Sequence, residues 1–182
     1  MSRRKIARVA VPGLAVLIAT AIVVPAIAQP SASARVRLNT IGGVTFKANR
    51  FIQDNMRFSK NSISAGRGDS VVLTDKTKQP HSFSVVRKGQ IPRKVGQIDG
   101  CFENGPCGKL AVEHGAINPD TGEEQDPTTP LVNAGPAGFN QPGDSVLIPP
   151  GGKTTVRITG SNDLYYPCAI HPWMLGKVNV GG

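Results

Sequence analysis

Residues 165–178 read Tyr-Tyr-Pro-Cys-Ala-Ile-His-Pro-Trp-Met-Leu-Gly-Lys-Val, which sets Cys168, His171 and Met174 at Cys-x2-His-x2-Met spacing. A thiolate, an imidazole and a thioether so close together form a soft donor set suited to copper. Sulfur holds Cu(I), imidazole serves both oxidation states, and a weak axial thioether completes the site. One further imidazole is needed, and Gln79-Pro80-His81-Ser82-Phe83-Ser84-Val85-Val86 offers His81. This need constrains the fold more than any other feature. A strand from the first half of the chain must lie beside a loop near its end, within bonding reach of one ion.

The pattern around both segments is that of short strands. Asp69–Thr74 reads as a strand, and His81–Val86 alternates with period two, so that His81, Phe83 and Val85 share one face while Ser82 and Ser84 take the other. Val44–Phe46, Met56–Phe58 and Ser62–Ser64 are weaker candidates. Ser145–Ile148, Thr154–Ile158, Leu164–Cys168 and a last strand holding Val178 and Val180 follow, with Pro149-Pro150-Gly151-Gly152 as a turn. With 21 Gly and 15 Pro in 182 residues and little helical periodicity, an all-β Greek-key sandwich is expected. Between Arg87 and Gly143 the strand pattern stops, and Gly, Pro, Asn and Asp recur throughout. A connection of that length is read as a long irregular insertion. His114 lies within it and reads as a solvated loop histidine.

The N-terminus reads as a separate segment. Arg3, Arg4, Lys5 and Arg8 precede an apolar run from Val9 to Ala28, with small-x-small cleavage signals at 26–28 and 32–34. Residues 1–28 are therefore expected to be a signal peptide, Sec or twin-arginine, or an uncleaved membrane anchor. Either one exports the remainder to a periplasmic or extracellular face. Residues 29–55 form an N-terminal segment with the first strand, and 56–182 the main domain with its insert at 87–143. Four units of the formal +9 charge sit in that basic leader. The rest is spread without aromatic clustering, which argues against nucleic acid binding.

Three cysteines in an exported protein leave one unpaired. Cys101 and Cys107 flank a short Gly/Pro-containing stretch and suit a disulfide in an oxidising compartment. Cys168 is then the odd thiol, which a metal would protect. A second site from Cys101, Cys107 and His114 fits no common zinc spacing.

Pro80-His81 after an alternating run, Cys168-x-x-His171-Pro172-aromatic-Met174 and the trailing Gly176-Lys177-Val178 together resemble the cupredoxins, amicyanin and plastocyanin most of all. The resemblance spans about residues 56–86 and 144–180. It implies an eight-stranded cupredoxin-like sandwich holding one mononuclear copper on His81, Cys168, His171 and Met174. It also implies single-electron transport between a donor and an acceptor protein in brief encounters. Ser82 stands where amicyanins usually carry Asn. Ile170 stands where Pro is common, and unlike Pro it keeps an N–H that is free to donate to the Cys168 sulfur. That bond is expected to raise the potential. Pro80, Ser82 and Ile170 are thus expected around the ligands. Pro172, Trp173 and Leu175 are expected to form an apolar partner surface around the His171 edge, although Trp173 suits core filling equally well. The chain is expected to be a monomer and not an enzyme, since only His114 remains to serve a catalytic copper. Copper storage or delivery without redox turnover is the alternative.

Overall fold

A computed structural model of the chain describes residues 33–133 and 138–181. The expected export segment, 1–28, lies outside the described residues. Among those described, no helix is long and apolar enough to cross a membrane.

The described residues form twelve strand segments, two α-helices and a short 3-10 turn, and ten of the strands assemble as two facing layers. In the first layer, β1 (Arg35–Ile41) lies between β6 (Ser70–Asp75) and β4 (Arg57–Phe58), and β10 (Lys153–Arg157) flanks β6. β1 and β6 run parallel with Leu38 opposite Leu73, while β10 pairs antiparallel with β6. The first strand of the sandwich is therefore Arg35–Ile41, ahead of the weaker candidate at 44–46. Its Arg, Asn and Thr residues disguise an alternation that buries Leu38 and Thr40.

The second layer has two parts. β7 (His81–Ser84) pairs with β9 (Ser145–Ile148), which also pairs with the short β8 (Leu131–Val132). β11 (Leu164–Pro167) pairs antiparallel with β12 (Leu175–Asn179), and β12 runs parallel to β5 (Ser62–Ser64). A bridge between Val86 and Tyr165 joins the two parts. That bridge sets the end of β7 beside β11, as the ligand pattern demands.

Leu38, Phe58, Val71 and Leu73 from one layer meet Phe83, Ile148, Tyr166 and Val178 from the other in a single core. The Phe83 ring lies 4.3 Å from that of Tyr166, and Phe58 meets Tyr166 edge-on at 5.0 Å. Close aromatic packing of this kind adds to simple area burial. β2 (Val44–Lys47) and β3 (Phe51–Asp54) pair only with each other as a hairpin. Phe46 and Ile52, partners across it, stay exposed.

The insertion carries regular structure of its own. α1 (Val95–Glu103) and α2 (Pro106–Glu113) form a helical hairpin held by the expected Cys101–Cys107 disulfide. Gly105-Pro106 explains the second start, because Pro at the first helical position lacks only an N–H that would be unpaired anyway. The helices approach so closely that a Cβ on Gly108 would sit 1.9 Å from the Phe102 carbonyl oxygen. Cys107, Leu110, Ala111 and His114 recur at helical spacing and are all buried. Leu110 packs with Val86, Ile91 and Ala169, and with the partly buried Leu175. α2 thus covers the outer side of the second layer. This is why Ser82 and Ser84 are buried although they face away from the main core. The sequence reading of His114 as a solvated loop residue is corrected here: it is fully buried beneath the end of α2.

Candidate metal centre

His81 opens β7, opposite Ile148 of β9. Cys168 follows the last residue of β11, and Met174 precedes the first residue of β12. Because Pro167 pairs with Leu175, the 168–174 loop closes tightly. Cys168 N–H donates to the Met174 carbonyl at 2.9 Å, and Met174 N–H donates to the His171 carbonyl at 2.9 Å. The loop returns the chain over the end of the sandwich, where His81 meets it.

The fold brings together the three strong donors that sequence spacing singles out. Cys168 Sγ lies 3.9 Å from His81 Nδ1 and 3.7 Å from His171 Nδ1. All three ligand atoms lie within 4.8 Å of one another. Metal–nitrogen bonds of about 2.1 Å and a metal–sulfur bond of about 2.3 Å at trigonal angles would separate nitrogen from sulfur by about 3.8 Å. The cluster therefore suits a single ion in the His2Cys arrangement that copper favours. Met174 is fully buried and shares the core cluster with Cys168.

Each imidazole is oriented from behind. His171 Nε2 lies 3.1 Å from Gln79 Oε1, an acceptor, so the proton sits on Nε2 and the Nδ1 lone pair faces Cys168. His81 Nε2 lies 2.8 Å from Thr77 Oγ1, and that hydroxyl lies 2.9 Å from Asp75 Oδ1. The carboxylate only accepts, so Thr77 donates to Asp75 and accepts from His81. Asp75, Thr77 and His81 form a relay that presents His81 Nδ1 to the site. Second partners of this kind fix the tautomer of a ligating histidine. Burial, with His171 alongside, pushes the His81 imidazole down to about 4, so the ring is neutral at neutral pH and Nδ1 keeps its lone pair. Burial also lowers His171.

Sequence reasoning missed the residues behind the histidines, Thr77, Gln79 and Asp75. Burial acts to raise the Asp75 carboxyl, but bonds from Thr40, Gly151 and Thr77 outweigh that and hold it below the ordinary carboxylate value. A signal was present: Val71, Leu73 and Asp75 share the inward face of β6. A carboxylate in register with two core residues at a strand end needs a reason.

Burial raises the Cys168 thiol, opposed by N–H groups of Ser82, His171 and Ile170. Ser82 N–H meets the sulfur at 3.2 Å and His171 N–H at 3.3 Å. The expected donation from Ile170 is therefore accompanied by a bond from the next residue along. Ser82 Oγ also accepts Ala169 N–H at 2.7 Å, tying β7 to the 168–174 loop. Pro80 stands between Gln79 and His81, the residues that contact and face the second histidine.

The expected partner surface needs correction. Pro172 is buried inside the turn that Met174 N–H closes, and Leu175 is half-buried against the insert. Trp173 alone of the three is exposed, at 38%, with its ring edge-on to His171 at 5.3 Å. His171 itself is 8% exposed. Its edge looks into a cleft of about 710 Å³ whose walls include Asp54, Phe102, Glu124, Asp126 and Trp173. The insert supplies Phe102, Glu124 and Asp126, so it builds one side of the approach to the site. Cys101 and Cys107 are bonded to each other, which removes the second metal site that would have used them with His114.

No protein-family profile matches the chain, and neither does any curated protein. Solved structures with a similar arrangement include auracyanins, amicyanins, a pseudoazurin and a purple cupredoxin. Auracyanin A, a "blue" copper protein from Chloroflexus aurantiacus, aligns over 82% of this chain and 100% of its own at 14% identity and a TM-score of 0.43. A purple cupredoxin from Nitrosopumilus maritimus aligns over 80% and 99% at 14% identity and a TM-score of 0.40. Amicyanin from Paracoccus versutus aligns over 85% and 86% at 12% identity and a TM-score of 0.37.

Proposed function

We propose that this chain is a type 1 copper protein that carries single electrons between redox proteins outside the cytoplasm. The observation that carries this reading is the buried His81–Cys168–His171 cluster, with each outer imidazole nitrogen anchored by a separate partner. Copper bound there would supply a one-electron Cu(II)/Cu(I) couple.

The residues themselves supply rigidity. His81 is held from behind by Thr77, His171 by Gln79, and Cys168 by two backbone N–H groups and a loop closed on itself. Donors fixed in this way change little between oxidation states, which keeps the barrier to electron transfer low. Met174 is proposed as the axial thioether. His171 and the exposed Trp173 provide the short route to the surface, and the limited patch around them suits brief encounters. Export fits the Cys101–Cys107 disulfide, which belongs to an oxidising compartment.

Storage or delivery is the weaker reading. A partner that takes copper by ligand exchange needs access to the donors, whereas Cys168 and His81 are fully buried. An enzymatic copper would need further histidines, and both nitrogens of His114 are already engaged by Thr129 and Ser145.

Loading the purified protein with Cu(II) tests the reading. An intense thiolate-to-copper absorption, bleached reversibly by reductant and abolished in Cys168→Ser, is the expected result. A colourless complex that takes only Cu(I) and yields it to weak chelators would replace the carrier with a delivery protein.

A further inference from the structure

Behind the sulfur runs a chain of polar groups that the ligand set does not require. Ser82 Oγ lies 2.8 Å from Ser84 Oγ, Ser84 Oγ lies 2.6 Å from Ser145 Oγ, and Ser145 Oγ lies 2.6 Å from His114 Nε2. All four residues are fully buried. The chain starts beside the metal cluster, crosses from β7 to β9, and ends on the insertion.

The direction of every proton in it follows from one contact. His114 Nδ1 lies 2.6 Å from the Thr129 carbonyl oxygen, which can only accept, so Nδ1 carries a proton. Burial pushes this imidazole down, which keeps it neutral at neutral pH and leaves Nε2 an acceptor. Ser145 must then donate to His114, Ser84 to Ser145, and Ser82 to Ser84. Ser82 Oγ lies only 3.9 Å from Cys168 Sγ, near enough for an O–H···S bond, but its single proton is committed elsewhere.

We propose that His114 is a positioning residue for the Cys168 thiolate: through three serine hydroxyls it holds the Ser82 proton away from the sulfur. The inference rests on the copper reading above. The insertion thereby sets how many hydrogen bonds the thiolate receives, and with it the balance between Cu(II) and Cu(I), because withdrawing thiolate charge favours Cu(I).

Breaking the chain anywhere frees the Ser82 hydroxyl to turn onto Sγ. In His114→Leu the reversed order Ser145 to Ser84 to Ser82 to Sγ satisfies all three hydroxyls, whereas the original order leaves Ser145 without its acceptor. Ser84→Ala leaves the His114–Ser145 contact and the docked insert untouched and removes only the acceptor for Ser82. Both variants are expected to move the thiolate-to-copper band to shorter wavelength. They should shift the equilibrium toward Cu(I) by about tenfold, as for one added bond to a charged acceptor. His114→Gln restores an acceptor oxygen near the position of Nε2 and should recover most of the wild-type values.

A Ser84→Ala protein that binds copper with wild-type band and wild-type redox equilibrium would overturn the proposal. A purely structural role would lower the unfolding temperature and move neither quantity. A second test needs no copper: nitrogen NMR of the metal-free protein should find neutral His114 protonated on Nδ1. A proton on Nε2 overturns the proposal independently. Failure of the wild type to show any thiolate band would instead strike the copper reading, and the NMR result would still judge the serine chain.

Discussion

Replacing Asp75 by Asn tests how the fold holds its first histidine. The carboxylate accepts four hydrogen bonds: the Thr40 hydroxyl, Thr77 N–H and the Thr77 hydroxyl reach Oδ1, and Gly151 N–H reaches Oδ2 at 2.6 Å. An asparagine can present only one oxygen. Its NH2 group, placed where Oδ2 was, turns a donor toward the Gly151 N–H and strands it, at a cost of about 1 to 3 kcal/mol. The three remaining bonds lose their charge assistance, and easier burial of a neutral amide offsets part of that loss. A net destabilisation of about 3 kcal/mol is expected. At the slope of a small domain, that moves the urea midpoint of the metal-free protein by roughly 1 to 2 M. The Asp75 carboxyl sits below its ordinary 3.8 in the folded protein, so its contribution is complete above that pH and is lost as pH falls through the folded value. The gap between wild type and Asp75→Asn should therefore be widest at neutral pH and narrow below about pH 4. With copper bound, removing a negative charge 3.6 Å from His81 Nε2 should also raise the reduction potential. A variant that loses less than about 0.5 kcal/mol at pH 7, or a gap to wild type that does not narrow as pH is taken progressively below 3.8, would refute this account.

Other outcomes follow from individual contacts. The metal-free protein should lose roughly 3 kcal/mol of stability as pH falls from 6.5 toward 4, because His81 is pushed down to about 4 and charges more readily in the unfolded chain. Denaturant titrations across that range will measure it, and saturating copper should flatten the loss. Gly176→Ala should destabilise by about 1 to 3 kcal/mol, since a Cβ there would meet the Tyr166 ring at 2.3 Å. Tyr166→Phe should be neutral or stabilising by about 1 kcal/mol, as the buried Tyr166 hydroxyl has no hydrogen-bond partner among the described residues. Thermal melts of both variants will decide. Replacing Cys101 and Cys107 by Ser should lower stability by about 2 kcal/mol, in line with a short closed loop. Amide exchange should then show the two helices opening before the sandwich does.

The ligand pattern and the β architecture were legible in the residues themselves. Cys168 and His171 stand out through spacing, because a short loop holds them together whatever the rest of the chain does, and Met174 follows within the same seven-residue loop. His81 is marked by alternation, which puts it on the core face of β7 with Phe83 and Val85. Period-two patterning carried β7, β10, β11 and β12 for the same local reason.

Tertiary structure decided what depends on neighbours remote in the chain. The Asp75–Thr77–His81 relay needs the end of β6 turned toward the start of β7, and the Ser82–Ser84–Ser145–His114 chain needs α2 laid over the second layer. His114 looked like a loop residue because the apolar stripe of α2 is only Cys107, Leu110 and Ala111, too short to stand out among Gly and Pro. Its burial comes from a helix docked on a sheet face that sequence alternation marks as polar. A polar hydroxyl reads as surface until something covers it, and what covers it is a matter of packing between distant segments.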